Sequence, residues 1–147
     1  MKISTKGCYG VRFLIDLATH AANGKVTLKE VAQRQAISEK YLWQIVNPLK
    51  LAGLIRAVAG PHGGYALARK PASITLRKIL AVLEGDCALV SCVSAPTTCP
   101  RSSTCGSRGA WEEVDNKLSA ALEGITLDDM TCKERAMVEQ AAPGYNI

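Results

Sequence analysis

Apolar residues recur every three or four positions over residues 6–22, where Tyr9, Phe13, Leu14, Leu17, Ala18 and Ala21 share one helical face. Ser4 and Thr5 precede the run as candidate caps, and Asn23-Gly24 ends it. Thr27-Leu28-Lys29-Glu30 has the form of a capping box, in which the Thr and Glu side chains satisfy each other's free backbone donors. It predicts a short helix over 28–35 that buries Leu28, Val31 and Ala32. Ala36-Ile37-Ser38 then reads as a turn, with Ser38 as the next cap. A third helix over 39–51 turns Leu42, Ile45, Val46 and Leu49 inward. Pro48 inside it predicts a kink, because proline lacks the N–H and its ring crowds the preceding turn. Gly53 fits the left-handed position that terminates a helix.

The pattern then shortens. LIRAV (54–58) and YALAR (65–69) flank the turn AGPHGG (59–64), which predicts a β-hairpin. Residues 75–84 return to helical spacing, and 86–107 read as a loop of small, polar and turn-forming residues. A longer helix is expected from about Gly109, with Trp111, Val114, Leu118, Leu122 and Ile125 in one continuous apolar stripe. That stripe is either core or the seam of a dimer. A short last helix follows Thr126, and the tail AAPGYNI reads as frayed. The expected fold is mainly α with a small β-hairpin wing. It divides into a winged helix-turn-helix over 1–84, a cysteine-rich loop over 85–108, and a dimerisation helix with C-terminal tail over 109–147.

Helix, short helix, turn, helix and hairpin is the element order of a winged helix-turn-helix. In that arrangement the third helix enters the major groove of double-stranded DNA and the hairpin reaches the neighbouring backbone or minor groove. The outward face of the third helix offers Ser38, Glu39, Lys40, Tyr41, Trp43 and Gln44. Gln44 is able to read adenine through two hydrogen bonds, while Lys40 and Tyr41 suit phosphates. Trp43 either packs on thymine methyls or completes the core. In the wing, Arg56 and His62 are the candidate contacts, with Gly63 and Gly64 leaving the backbone bare at the tip. Charge agrees with this assignment. Residues 1–84 hold 13 Lys and Arg against 4 Asp and Glu, whereas 85–147 hold 5 against 9, within an overall net charge of +5.

A chain of 147 residues with 48% hydrophobic content suits one domain with an appended element. It contains no apolar run near the ~20 residues of a transmembrane helix, and its first residues lack a signal core. A cytoplasmic protein with no membrane partner is expected, and there clustered cysteines point to metal or redox chemistry more than to structural disulfides. No nucleophile–histidine pairing, phosphate-cradling loop or clustered acid pair suggests an enzyme.

The cysteines run Cys92-x6-Cys99-x5-Cys105. These gaps are longer than the tight knuckle of structural zinc sites, and they suit a loop wrapped around an inorganic core held by soft thiolates. An iron–sulfur cluster, a zinc ion and a redox disulfide all stay open on the spacing alone. Arg101 and Arg108 flank the thiols and are expected to favour their thiolate forms.

The opening MKISTKGCYGVRFLIDLA, the block ISEKYLWQIVNPLKLAGLI, the wing GPHGGYALAR, the segment ITLRKILAVLEG and the cysteine triad together resemble the IscR/NsrR-type iron–sulfur winged-helix regulators of bacteria. The resemblance covers nearly residues 1 to 125. It implies a homodimeric transcription regulator, expected to be a repressor, with the stripe from Trp111 to Ile125 at the dimer interface. It also implies a cluster on Cys92, Cys99 and Cys105. IscR-like members place a His three residues after the third Cys, where this chain has Arg108. NsrR-like members take a carboxylate from the partner subunit at the residue before the helix-one tyrosine, where this chain has Cys8. Cys8 of the partner is therefore the expected fourth ligand. Cys87, an outside thiol, or Cys8 as a mere helix-filling residue are the alternatives. All-thiolate ligation with no His favours [4Fe-4S] over [2Fe-2S]. Family members also carry an Arg where this wing has Ala59, and an acidic residue where the third helix has Trp43. A zinc-stabilised DNA-binding or adaptor domain without a sensing role is the alternative function.

Overall fold

The computed structural model describes residues 1–20 and 24–144. Ala21, Asn23 and the last three residues of the tail lie outside the described residues. Among the described residues, seven α-helices and one hairpin follow in the order α1 (Thr5–Thr19), α2 (Leu28–Gln35), α3 (Glu39–Leu51), β1 (Ile55–Ala57), β2 (Tyr65–Leu67), α4 (Leu76–Glu84), α5 (Ser91–Ser94), α6 (Gly106–Glu123) and α7 (Leu127–Ala141).

Local chemistry sets the helix starts. Ser4 caps α1, its Oγ accepting the Gly7 N–H at 3.2 Å. Both halves of the α2 capping box form: Thr27 Oγ1 accepts the Glu30 N–H at 3.3 Å, and Glu30 Oε2 accepts the Thr27 N–H at 2.7 Å. Ser38 caps α3 through the Tyr41 N–H at 3.2 Å. The helix runs through Pro48 to Leu51. Gly53 takes a φ of 70°, the left-handed conformation in which a Cβ is strained.

The hairpin is antiparallel, pairing Ile55 with Leu67, Arg56 with Ala66 and Ala57 with Tyr65. Its strands are shorter than the apolar runs that predict them. Val26 adds a further rung, exchanging backbone bonds with Tyr65 at 2.9 and 2.8 Å. The segment before α2 thus lies along the wing.

One core holds these pieces together. Phe13, Leu14 and Leu17 of α1 pack with Val31 of α2, Leu42, Ile45, Val46 and Leu49 of α3, Ile55 of β1 and Ile79 of α4. Asp16 is buried beside them, only 1% exposed. Arg34 grips its carboxylate in a fork, Nη2 to Oδ1 at 2.7 Å and Nε to Oδ2 at 3.0 Å, and Gln35 Nε2 donates to Oδ2 at 3.1 Å.

Three expectations change beyond the wing. The region 86–107 is not plain loop, since it contains α5 and a 3-10 turn at Pro96–Thr98. The long helix begins at Gly106, ahead of Gly109. The final helix is 15 residues long and packs against α1, with Leu127 fully buried in the common core. Backbone bonds pin this junction, Leu127 N–H to Ile74 O at 2.7 Å and Leu76 N–H to Ile125 O at 2.8 Å.

Leu127→Ala is expected to cost about 2–5 kcal/mol of folding stability, the range for truncating a fully buried leucine. Urea unfolding followed by circular dichroism measures it. A loss under ~0.5 kcal/mol, as at surface positions, would remove the C-terminal helix from the core.

Candidate nucleic-acid interface and cysteine loop

Glu39, Lys40, Trp43 and Gln44 all stand exposed on α3, following the Ser38 cap. Trp43 is 52% exposed, so it is no part of the core. It borders a groove of about 270 Å³ with Glu39, with Thr27 and Lys29 at the start of α2, and with His62, Gly63 and Gly64 of the wing. Gly63 needs to be glycine there, because its φ of 59° is left-handed. Arg56 is exposed on β1. Lys29 was not among the candidates from sequence. The signal was its place inside the capping box, which sets it at the α2 N-terminus facing the wing.

Tyr41 departs from the outward set. Its ring is half-buried and packs edge-on against Tyr9 of α1, with centroids 5.6 Å apart. The Arg12 guanidinium lies over the other aromatic partner, 5.2 Å from the Tyr9 centroid. Arg12 also donates from Nε to Gln35 Oε1 at 3.1 Å and from Nη2 to the Gln35 carbonyl. Gln35 precedes Ala36, whose φ of 53° makes the left-handed bend between α2 and α3. The first turns of α1 therefore hold both the reading helix and the turn that aims it. Cys8 is exposed on that same stretch of α1.

The cysteine loop is braced by carboxylates and by α6. Asp86 accepts the Ala88 N–H at 3.0 Å and the Ser94 hydroxyl at 2.6 Å. Asp115 accepts the Leu89 N–H at 3.1 Å. Arg108 donates from Nε to the Cys92 carbonyl at 3.1 Å, and its guanidinium lies 3.7 Å from the Glu112 carboxylate.

All six cysteines are free thiols, Cys92, Cys99 and Cys105 half-buried, Cys8 and Cys132 exposed. Cys105 is held below the usual thiol range, first by the Ser107 hydroxyl and then by the Arg108 backbone N–H, with the charge of Arg101 contributing least. The Arg108 side chain, expected to act on the thiols, is committed instead to Cys92's carbonyl and Glu112. Cys87 is pushed above the usual range by burial and then by the charges of Glu84, Asp86 and Asp115. That environment opposes the thiolate a ligand must present.

Among the described residues, no three His, Cys, Asp or Glu side chains converge as a metal-holding group. The expected set of Cys92, Cys99, Cys105 and Cys8 is thus not assembled within the single chain. Its chemistry still suits a soft metal centre, since it consists of unbonded thiols alone. The two histidines stand elsewhere: His20 Nδ1 lies 2.9 Å from the Asp16 carbonyl oxygen, and His62 is at the wing tip.

The stripe on α6 is not core in the single chain. Trp111 and Val114 are 46% and 48% exposed, Leu118 and Leu122 are half-buried, and no residue of α6 is buried; Ile125, expected to continue the stripe, lies beyond the helix end at Glu123 and is 37% exposed. No helix among the described residues is long and apolar enough to cross a membrane.

Known proteins share this architecture. Residues 3–133 match the family described as Rrf2, Iron-dependent Transcriptional regulator. Protein rrf2 of Nitratidesulfovibrio vulgaris is 38% identical over 130 residues, covering 88% of this chain and 87% of the relative. The structure of IscR from T. potens has a TM-score of 0.74 and 39% identity, covering 99% of this chain and 95% of that one. The structure of CymR, the global cysteine regulator of B. subtilis, has a TM-score of 0.75 and 35% identity, covering 90% of this chain and 98% of that one. With its helix-turn-helix, its wing and this match over nearly the whole length, the chain belongs to the Rrf2 family of DNA-binding transcriptional regulators.

Proposed function

We propose that this regulator is a homodimeric repressor whose hold on double-stranded DNA follows the state of an iron–sulfur cluster, [4Fe-4S] in preference to [2Fe-2S]. Cys92, Cys99 and Cys105 of one chain and Cys8 of the partner subunit would hold it. The observation that carries the reading is the grip of α1 on the reading helix. Cys8 is an exposed thiol one residue from Tyr9, which packs on Tyr41, and one turn from Arg12, which holds Gln35. A ligand pulling on Cys8 pulls on the elements that aim α3.

One feature favours the partner over the rival thiol of the same chain as the source of the fourth ligand: Cys87 sits among carboxylates, whose charges oppose its thiolate. The exposed α6 stripe supports a dimer, because an uncovered apolar seam on a long helix is costly in water. When bound, such a cluster supplies an iron–sulfide centre that is lost on exposure to oxygen or nitric oxide or on iron limitation. The residues of the chain do the rest. Asp86, Asp115 and Arg108 hold the loop backbone around the thiols, so a ligand drawing the thiols together would act on these bonds.

Iron, acid-labile sulfide and zinc per chain, measured in anaerobically purified protein, test the proposal. Near-equal iron and sulfide in the wild type, with loss in Cys8→Ser, is the expected outcome. An intact cluster in Cys8→Ser would move the fourth ligand elsewhere, and zinc without sulfide would leave a zinc-stapled DNA-binding domain. Leu118→Asp is expected to turn a dimer into a monomer in sedimentation, and an unchanged dimer would take α6 out of the interface. On DNA, Lys40→Ala is expected to weaken binding to all duplexes alike. Gln44→Ala is expected to cost about 1–3 kcal/mol of discrimination between sequences. Equal losses on operator and random duplex for both variants would dismiss α3 as the reader.

A further inference from the structure

The tip of the wing, Ala59 to Gly64, contains His62 and no permanently charged side chain. The fold brings a cation to it from outside the hairpin. Lys25 precedes Val26, and Val26 is fixed to Tyr65 by two backbone bonds of 2.9 and 2.8 Å. That pairing lays the Lys25 side chain across the wing turn. Its Cβ and Cδ both lie 3.2 Å from where a Cβ on Gly64 would stand. Its ammonium nitrogen occupies the space that a Cβ on Gly60 would take. The two glycines make a bed for the stem, and the charge ends beside Gly60, next to Ala59.

The placement is specific in two respects. The stem is half-covered by the wing, so less side-chain freedom remains to be lost on binding than for a lysine standing free in water. Among the described residues no carboxylate forms a salt bridge with Lys25. An ammonium set against the wing turn at Gly60 without a salt-bridge partner among the described residues suits a phosphate.

We propose that Lys25 is the charged contact of the wing, placing its ammonium on a phosphate of the DNA backbone. The inference rests on the DNA binding of the family and is independent of the cluster.

Lys25→Gln keeps the stem and removes the charge, and Lys25→Arg keeps the charge. Fluorescence anisotropy over a salt series is read with two probes, a mixed-sequence duplex and a duplex selected by the wild-type protein from a random pool. Iron content is measured in every sample, and melting temperature serves as the folding control. Lys25→Gln is expected to weaken both duplexes by the same factor, on the order of three- to tenfold, and to make the log–log salt slope shallower by about one. Lys25→Arg is expected to restore both. Unchanged affinity and slope in Lys25→Gln would overturn the proposal. A loss confined to the selected duplex would overturn the phosphate assignment. Equal losses in the Gln and Arg variants, together with a lowered melting temperature, would reduce Lys25 to a structural support for the hairpin.

Discussion

The buried carboxylate of Asp16 is the constraint on which the rest of the molecule depends. A charge at 1% exposure is tolerable only when it is fully engaged, and here Arg34 and Gln35 engage it. Leaving such a charge unpaired costs about 3–5 kcal/mol in a fully buried pair, and somewhat less here because Arg34 is partly exposed. Helix α1 therefore cannot slide along α2 without stranding an anion. Arg12 adds a second fastening on the same helix face, one turn earlier, to Gln35. Together they make α1 and the helix-turn-helix one stiff body. Cys8 lies on this body, one residue from the Tyr9 ring that packs on Tyr41 of α3.

The other end of α1 is fastened to α4, from which the cysteine loop departs. Ser4 gives its N–H and its hydroxyl to Glu84 at the end of α4, at 3.0 and 2.6 Å, and Gly7 has no room for a Cβ against that carboxylate. The cysteine loop departs two residues later. Cys8 thus lies between two anchors, one leading to the loop and one to the DNA-facing surface. The loop itself is folded in the single chain, with Asp86 and Asp115 holding its backbone.

Much of the DNA-reading half was legible because its determinants are local. Ser4, Thr27 and Ser38 announce helix starts by chemistry that operates within three residues, and Gly53 announces an end by its lack of a Cβ. Exposure of Trp43 and of the α6 stripe followed from periodicity but needed the fold to be decided. What stayed hidden depends on distant partners. Tyr41 turns inward because Tyr9 offers an edge, and α5 forms in a loop of turn-formers because Asp86 and α6 brace it. Asp16 showed only as one acid within the apolar run Phe13-Leu14-Ile15-Asp16-Leu17. The length of α7 was obscured by its many charged residues, since only its first turns bury apolar side chains. Lys25 gave no sign, because its role is set by a backbone rung thirty-nine positions away from Val26, at Tyr65.

The rung that joins Leu76 and Leu127 to Ile125 and Ile74 closes the chain on itself at the base of the cysteine loop. Between its two nailed feet, α4 stays in the core through Ile79 and Leu83, and only the stretch from residue 86 to the end of α6 is an excursion. No residue of that stretch is buried, so it can be lengthened, shortened or rewritten in the course of descent without opening the core. Closure entropy grows only slowly with the length of a loop already held at its ends. The fold therefore lets ligand chemistry diverge on one side of the nail while the grammar of operator reading is inherited on the other.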